Sequence, residues 1–269
     1  MITFPNAKIN LGLSVLNKRD DGFHNIESVF YPVQICDALE IKTIDESTCK
    51  LVLSGDAIQG NLESNLVFKA WKILHQKYDI PGVHCELLKK IPMGAGMGGG
   101  SADGSFMLKL LNSHFKLNLA NAELEQLAGQ LGSDCPFFIE NKPAFVSGRG
   151  EHMERIDLDL SGYHLHVIHP NVHVGTAEAY GLLSPERRQQ DLRVLPRTPI
   201  EEWQSTFHND FEEVIATQFP AIAEAQKSLL NQGAIYAAMT GSGSAVFGIF
   251  KEKVALEEKE GWRYFEGRI

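Results

Sequence analysis

The order of apolar and polar residues divides the first half of the chain into strand-like and helix-like segments. Alternation with a period of two, as in residues 9–16, is typical of a half-buried strand. Helical spacing of apolar residues behind Ser64 or Asn65 indicates a capped helix. The predicted strands are residues 9–16, 38–43, 50–55 and 83–88, and the predicted helices are residues 65–78, 101–112 and 121–131.

The pattern loosens in the glycine-rich and charged stretch at residues 149–159. We therefore predict two domains, residues 1–154 and residues 155–269. The second contains a polar, proline-marked stretch at residues 184–199, strands at residues 163–169 and 245–250, and a helix at residues 219–231. The last residues are predicted to be helical and then irregular, and no internal repeat is visible.

Composition narrows the class of protein. The chain has 269 residues, enough for one large or two modest domains that each bury a core. It is 43% hydrophobic and 22% charged, and 25 basic residues against 34 acidic residues give a net charge of −9. These values fit neither a disordered chain nor a general polyanion binder. We expect a small-molecule ligand and no nucleic acid, although a local pocket in an acidic protein can still bind phosphate.

The cysteines and the apolar runs bear on cellular location. The four cysteines lack zinc-finger spacing, which favours free thiols in a reducing compartment; they are Cys36, Cys49, Cys85 and Cys135. The amino terminus carries no basic region followed by an apolar stretch, and no apolar run approaches the roughly 20 residues that cross a bilayer. We expect a soluble, cytoplasmic protein with no membrane partner.

Five glycines in seven positions, from Gly94 to Gly100, follow a predicted strand and precede a predicted helix. Glycines let backbone N–H groups converge, and a helix start adds unpaired donors and the positive end of a dipole. The segment therefore predicts a phosphate-binding loop rather than a hinge. Its spacing also matches a dinucleotide fingerprint, but the second strand with its acidic residue is missing. A P-loop is disfavoured because Gly100 stands at the lysine position.

Two further segments accompany the loop: Pro5-Asn6-Ala7-Lys8-Ile9-Asn10-Leu11-Gly12-Leu13, and Ala238-Met239-Thr240-Gly241-Ser242-Gly243-Ser244 near the other end. Together the three segments resemble the ordered motifs of the GHMP small-molecule kinases. The resemblance implies a two-domain α+β fold, with an N-terminal domain like ribosomal protein S5 domain 2 and a ferredoxin-like C-terminal domain. It also implies ATP as phosphoryl donor and Mg²⁺ as cofactor.

Within that family, the segments Arg19-Asp20-Asp21-Gly22-Phe23-His24 and Leu131-Gly132-Ser133-Asp134-Cys135 resemble those of the branch whose alcohol substrate carries cytidine diphosphate. The activity this implies is phosphorylation of the 2-hydroxyl of 4-diphosphocytidyl-2-C-methyl-D-erythritol in the non-mevalonate route to isoprenoids. Homoserine or mevalonate as the substrate, or a nucleotide sensor without catalysis, are the alternatives. We expect a monomer or weak homodimer.

A tertiary hydroxyl is a poor nucleophile, so its phosphorylation needs a base beside it and a cation nearby. We assign these roles to Asp134 and Lys8, the alternatives being a helix-capping aspartate and a solvated lysine at a strand end. Asn10 shares the strand face of Lys8 and either binds substrate or orders the lysine.

The resemblance assigns the cytidine to Phe23 and His24, with Tyr180 as a second stacking ring and Thr176 as an active-site threonine. Phe23 replaces the tyrosine usual in the family. The same resemblance assigns ATP to the glycine loop and its neighbours: Asn65, Leu66, the Lys89-Lys90 pair, Pro92, Gly94, Gly96, Gly98, Gly99, Gly100, Ser101 and Gly241.

Ser101 is also the candidate magnesium ligand, although a serine at a helix start can simply be a cap. Asn209, Asp210 and Gly243 are assigned to the C-terminal wall of the site, where the glycines can also be a plain turn. Four histidines, His164, His166, His169 and His173, lack the spacing of a metal site and are assigned to the surface.

Overall fold

The structure, a computed structural model, describes residues 1–56, 61–183 and 190–269. It divides into two compact units that are interleaved along the sequence. The first unit comprises Met1–Ala7, Cys36–Met93 and Gly98–Lys142, and the second unit comprises Lys8–Ile35, Gly94–Met97 and Pro143–Ile269. The predicted domain boundary between residues 154 and 155 stays a prediction.

The strands, in chain order, are β1 (Ile2–Thr3), β2 (Asn6–Lys18), β3 (His24–Cys36), β4 (Ala38–Ile44), β5 (Cys49–Gly55), β6 (Gly82–Lys89), β7 (Ala144–Ser147), β8 (His152–Arg155), β9 (His164–His169), β10 (Tyr236–Met239), β11 (Val246–Phe250) and β12 (Arg263–Arg268). The α-helices are α1 (Leu66–Tyr78), α2 (Gly99–His114), α3 (Asn121–Gly129), α4 (Phe137–Glu140), α5 (Thr176–Leu182), α6 (Trp203–Thr206), α7 (Glu212–Gln218) and α8 (Pro220–Asn231). Short 3-10 helices occupy Leu62–Ser64, Leu192–Arg197 and Ile200–Glu202.

The first unit is built on a sheet of order β1-β4-β6-β5, in which β5 and β6 are parallel and the other pairs antiparallel. Along β6 the side chains of Val83, Cys85 and Leu87 are buried in the core, whereas Glu86 and Leu88 are exposed. The buried face packs with residues of α1, α2 and α3 in one apolar core. The predicted cap of α1 is confirmed, because the Asn65 side chain accepts a hydrogen bond from Val67 N (2.9 Å).

The second unit holds two sheets. One has the order β2-β3-β7-β8, although the ends of β2 and β3 reach into the first unit's residues, and the other has the antiparallel order β10-β11-β9-β12. An apolar core joins Leu13 of β2, Ile168 of β9, Val246 of β11 and Leu229 of α8. Apart from the helix predicted near the C-terminus, the strands and helices predicted from the pattern are present in both halves, and several strands are longer than predicted.

Six of the strands that the structure describes were not predicted: β1, β3, β7, β8, β10 and β12. The strand β3 carries Pro32 and a run of consecutive buried residues, so it lacks the alternation of a half-buried strand. The predicted helix near the C-terminus is wrong: β12 pairs with β9, with Phe265 opposite Val167. Residues 263–268 form a strand through this pairing with a distant segment, and residues 251–260 before it form neither a helix nor a strand. The predicted polar stretch at 184–199 lies outside the described residues at 184–189.

A buried ion cluster ties the end of β6 to α2 in the first unit. The ammonium of Lys89 is fully buried and bonds to the carboxylates of Asp37 and, at 2.7 Å, Asp103. Asp37 also accepts hydrogen bonds from the amides of Lys90 (2.6 Å) and Ile91 (2.9 Å). Burial raises the pKa of Asp103 to about 7, against the opposing effect of Lys89. Lys89 is therefore neither a solvated lysine nor an exposed nucleotide ligand.

In the second unit, Glu212 at the start of α7 ties that helix to β10. Its carboxylate accepts hydrogen bonds from Met239 N (2.6 Å) and from Gln226 Nε2 (3.4 Å). Removal of this carboxyl group from water raises the pKa of Glu212 to about 7, although the two hydrogen bonds favour its charged form.

None of the helices in the described ranges is both long and apolar enough to cross a membrane. The four cysteines are free thiols, and Cys49, Cys85 and Cys135 are buried.

We predict that Lys89→Met lowers the free energy of unfolding by about 3–5 kcal/mol, because two carboxylates lose their buried counter-ion. The matched control is Lys50→Met, which removes an exposed ion pair with Glu46 and should cost at most about 1 kcal/mol. Urea denaturation measures both. Equal losses in the two variants would contradict the structural role of Lys89.

We predict that Glu212→Gln flattens the pH dependence of stability. The folded pKa of Glu212 lies above its ordinary value, so its stabilising contribution is complete below about pH 4.5 and is lost as the pH rises through about 7. Between about pH 5 and about pH 8 the free energy of unfolding of the wild type should fall, and that fall should be smaller by roughly 1–3 kcal/mol in the Glu212→Gln variant. Urea denaturation at both pH values measures the fall in the free energy of unfolding. The control is Glu213→Gln, a variant of the exposed neighbouring residue. An equal fall in the two variants would refute the prediction.

Candidate active site

The side chain of Asn10 lies at the centre of a buried polar cluster in the second unit. Its Oδ1 accepts hydrogen bonds from Lys8 Nζ (2.6 Å), Gly241 N (2.9 Å) and Thr240 Oγ1 (3.1 Å). Its Nδ2 donates to Ser28 Oγ (2.8 Å). Lys8 and Asn10 are 3% and 1% exposed, so Lys8 is not the solvated strand-end lysine that was its alternative. The structure thus brings Lys8, Asn10 and Gly241 together.

The Lys8 ammonium also lies 4.5 Å from the centroid of the Phe30 ring, a cation–π contact. Strand β2 places Lys8 and Asn10 on one face because side chains two residues apart point the same way. A lysine held by an amide oxygen and a ring face keeps its ammonium in one place. Such a fixed positive charge can stabilise negative charge on a reacting phosphoryl group.

The turn at Thr240 and Gly241 is held by Asn209, whose Nδ2 donates to Met239 O and Gly241 O (2.8 Å each). The backbone of Gly96 packs closely on this turn: a Cβ at Gly96 would stand 1.9 Å from Thr240 O. Glycine is therefore required at this approach. Gly241 N also donates a hydrogen bond to Asn10 Oδ1, so this segment is more than the plain turn that was the alternative for its glycines.

The residues 94–97 of the glycine loop belong to the second unit, and backbone hydrogen bonds fix them there. Lys8 N donates to Met97 O (2.9 Å), and Ala245 N donates to Ala95 O (3.2 Å). The segment is thus joined to both other motifs that accompanied it in the sequence. Gly94 is exposed and has a positive φ of 66°, as glycine permits.

The remainder of the glycine loop belongs to the first unit and starts α2. Gly98 is the N-cap, with a positive φ of 71° and no side-chain cap hydrogen bond. Ser101 lies in the first turn rather than at the cap, and its hydroxyl lies beside the Cys135 thiol. The first backbone amides of a helix have no partner within it, so this end can bind an anion. A Cβ at Gly100 would meet nothing within 4 Å, whereas at Gly99 it would stand 2.8 Å from Ile91.

The other residues assigned to ATP lie around this helix start in the first unit. Lys90 is exposed and Pro92 is buried, directly ahead of the loop. Leu66 is half-buried and its Cβ would lie 2.9 Å from a Cβ at Gly104 of α2. The oxygen of the Asn65 side chain is already used to cap α1.

Asp134 lies in the first unit, in the turn between α3 and α4, and is half-buried. The turn is anchored to α2, because Ser105 Oγ donates to Cys135 O (2.7 Å). Helix α4 begins after Pro136, which is its N-cap residue. The role of Asp134 as the base and its alternative as a helix-capping aspartate both stay predictions.

The residues assigned to cytidine lie in the second unit, but they pair differently from a clamp of Phe23 and Tyr180. His24 stacks on Tyr180, with ring centroids 4.9 Å apart and an angle of 14° between the planes. Phe23 is exposed, and the Arg149 guanidinium lies 5.1 Å from its ring centroid. Thr176 begins α5, and its hydroxyl lies 3.3 Å from Ser242 Oγ.

One histidine differs from its predicted surface position. His166 is 6% exposed, packs edge-on against Phe250, and has an Nε2 atom without a hydrogen-bond partner. Burial lowers its pKa. Within the described ranges, no group of three or more His, Cys, Asp or Glu side chains could hold a metal ion.

Sequence reasoning missed three contributors to the site: Ser28, Thr240 and Arg149. Thr240 lies inside a motif that had been singled out for its glycines alone. Ser28 is a small polar residue in an apolar strand, and only its full burial reveals a role. Arg149 lies more than a hundred positions from Phe23, so no local signal joins them.

Known proteins resemble this chain over nearly its whole length. The model of the GHMP kinases N terminal domain matches residues 65–142, and that of the GHMP kinases C terminal domain matches residues 196–264. A 4-diphosphocytidyl-2-C-methyl-D-erythritol kinase of Bacteroides fragilis is 51% identical, over 97% of this chain and 96% of that protein. The protein of the same name from Bacteroides thetaiotaomicron is 48% identical, and the match covers 100% of both chains.

A solved structure of 4-(cytidine 5'-diphospho)-2C-methyl-D-erythritol kinase superposes with a TM-score of 0.82 at 27% sequence identity. The match covers 99% of this chain and 98% of that one. The predicted two-domain kinase fold is confirmed. The chain belongs to the GHMP kinase family and is a relative of its 4-diphosphocytidyl-2-C-methyl-D-erythritol kinases.

Proposed function

We propose that the protein transfers the γ-phosphoryl group of ATP to the 2-hydroxyl of 4-diphosphocytidyl-2-C-methyl-D-erythritol. The observation that carries the proposal is the identity of 48–51% to relatives of that name along nearly the entire chain. The geometry of Lys8 and Asn10 supports it, because a buried, ordered ammonium suits phosphoryl transfer.

In the proposed reaction, the substrate hydroxyl oxygen bonds to the γ-phosphorus as the bond from that phosphorus to the bridging oxygen of ADP breaks. Asp134 accepts the hydroxyl proton and orients the oxygen, a role typically worth about 10²–10⁴-fold in rate. Lys8 offsets the negative charge on the transferred group. Asn10 acts by holding Lys8, the second of the two roles considered for it.

The ATP phosphates are proposed to bind the amides of Gly98–Ser101 at the start of α2, together with residues 94–97 of the loop. Gly100 supports this proposal because nothing lies within 4 Å of the position that its Cβ would occupy. Gly96 and Gly99 pack too closely on their neighbours to carry a side chain. The loop therefore presents backbone groups rather than side chains to a ligand. Adenine is assigned to the neighbouring Asn65, Leu66, Lys90 and Pro92. Gly241 of the second unit is also assigned to the nucleotide.

Magnesium fits this site as an ion carried chiefly by phosphates. Mg²⁺ is commonly held by one or two protein oxygens plus substrate phosphates, so a dedicated cage of side chains is not needed. The Ser101 hydroxyl, in the first turn of α2, is the proposed protein ligand. The ion would supply neutralisation of phosphate charge.

The cytidine handle is proposed to bind at Phe23, His24, Thr176 and Tyr180. The rings of His24 and Tyr180 are stacked on each other. A cytosine base is proposed to stack on the outer face of this pair or to take the place of one ring against the other. Aromatic stacking on a base contributes roughly 1–3 kcal/mol. Binding energy from this distant handle can orient the reacting hydroxyl.

The remaining proposals concern location and partners. The free, mostly buried thiols support a reducing compartment, hence the cytoplasm. We propose small molecules as the partners, with neither nucleic acid nor a membrane, and a monomer or weak homodimer as the assembly.

The test is ADP release with ATP, magnesium and 4-diphosphocytidyl-2-C-methyl-D-erythritol, run beside homoserine and mevalonate. We expect turnover with the cytidyl compound alone. Turnover only with another alcohol would keep a kinase and discard this substrate. ATP binding without turnover on any alcohol would favour a nucleotide sensor.

We predict that Asp134→Asn lowers kcat by at least about 100-fold while ATP affinity stays unchanged, because the amide cannot accept the hydroxyl proton. Steady-state kinetics and ATP titration measure the two quantities. The control is Asp45→Asn, an exposed aspartate of the same unit, which should behave as wild type. Full activity of the Asp134 variant would remove Asp134 as the base.

We predict that Tyr180→Ala raises KM for the cytidyl substrate roughly tenfold or more and leaves KM for ATP unchanged, since a stacking ring is lost. Tyr180→Phe keeps the ring and should retain the wild-type KM. Tyr163→Ala, a half-buried tyrosine elsewhere in the second unit, controls for general destabilisation. Equal increases in both KM values would count against cytidine stacking.

A further inference from the structure

Ser28 lies in β3 with no exposed surface, and its hydroxyl makes two hydrogen bonds. It donates to the backbone oxygen of Gly12 (2.6 Å), and it accepts from Asn10 Nδ2 (2.8 Å). A hydroxyl has one proton to donate. Because the Gly12 carbonyl can only accept, that proton is committed to Gly12, and the Ser28 oxygen faces Asn10 as an acceptor.

This commitment fixes which end of the Asn10 amide faces Ser28. Only the NH₂ group can donate to the Ser28 oxygen, so the Asn10 oxygen must point the opposite way. There it meets Lys8 Nζ at 2.6 Å and Gly241 N at 2.9 Å, two groups that carry donors and no acceptor. A reversed amide would place its own donors against both.

The hydroxyl of Thr240 cannot fix the amide by itself. It lies 3.1 Å from Asn10 Oδ1 and 3.0 Å from Gly96 O, so its single proton has two possible acceptors. It also accepts from Asn10 N at 3.2 Å. Ser28 is the contact that specifies the NH₂ end of the amide.

We propose that Ser28 is a positioning residue for phosphoryl transfer: its hydroxyl orients the Asn10 amide, and the amide oxygen in turn places the Lys8 ammonium. The inference rests on the proposed function, in which Lys8 acts on the transferred group. Ser28 has no exposed surface and acts through Asn10. Loss of its hydroxyl leaves the buried NH₂ of Asn10 without that acceptor, so the amide is held only from its oxygen side and the Lys8 ammonium is placed less firmly.

The test is a double-mutant cycle on kcat with Ser28→Ala, Asn10→Ala and the double variant. Ser28→Ala should lower kcat roughly ten- to a hundredfold, because a misplaced catalytic group costs that much, and KM for ATP should not change. In the Asn10→Ala background, Ser28→Ala should cost almost nothing further, because its effect passes through Asn10. Independent losses that multiply, or an unchanged kcat in Ser28→Ala, would overturn the proposal.

Further variants separate positioning from folding. Ser28→Thr keeps the hydroxyl and should retain the wild-type kcat. Ser14→Ala removes another buried serine hydroxyl of the neighbouring strand β2, one that accepts from Gln190 Nε2 (3.0 Å), and should leave kcat unchanged. If Ser28→Ala does not fold, Ser28→Cys replaces it in the cycle, since a thiol is a weak donor of similar size.

Turnover by the wild-type protein separates failure of the proposed function from failure of the role of Ser28. If wild type does not turn over the cytidyl substrate, the proposed function fails, and the role of Ser28 fails with it. If wild type turns over and the cycle is additive, the proposed function stands and only the role of Ser28 fails.

Discussion

A single buried amide oxygen, Asn10 Oδ1, accepts three hydrogen bonds, and the second unit's polar cluster depends on it. Burying an ammonium group is costly unless strong acceptors surround it. Asn10 supplies such an acceptor to Lys8 and binds the Thr240–Gly241 turn with the same atom. Residues more than two hundred positions apart thereby meet at one point. The hydrogen bonds of Asn10 with Thr240 and Gly241 therefore bring the first and last sequence motifs into contact in the second unit.

The first unit also buries a lysine, Lys89. Two carboxylates surround Lys89, and one of them also holds the backbone amides that lead into the glycine loop. The contacts of Lys89 therefore support the fold where β6 ends and α2 begins. Lys8 bonds to an amide oxygen and lies against an aromatic ring. In sequence the two lysines look alike, each beside a motif, and the structure gives Lys89 contacts that support the fold, whereas the proposed role of Lys8 is to act on the transferred group.

The sequence was informative where a local pattern decides the structure. Strands β5 and β6 alternate buried and exposed residues, and α1 carries its own cap, so their positions could be predicted. Strand β12 could not, because its charged residues form a strand only by pairing with β9. The motifs located Lys8, Asn10 and the glycine loop, whereas Ser28 and Arg149 gain their contacts from other segments of the chain. The burial of His166 likewise depends on Phe250, which no spacing within β9 reveals.

A ³¹P NMR spectrum of the product shows whether phosphate has been added to the tertiary hydroxyl. The carbon at that position bears no hydrogen, so we predict one new phosphomonoester signal without three-bond coupling to a proton. The diphosphate signals of the substrate should remain. A new signal split by neighbouring protons would place the phosphate on a primary or secondary hydroxyl, and the absence of any new ester signal would show that no phosphate is transferred to the alcohol. Either result would rule out phosphorylation of the 2-hydroxyl by this protein.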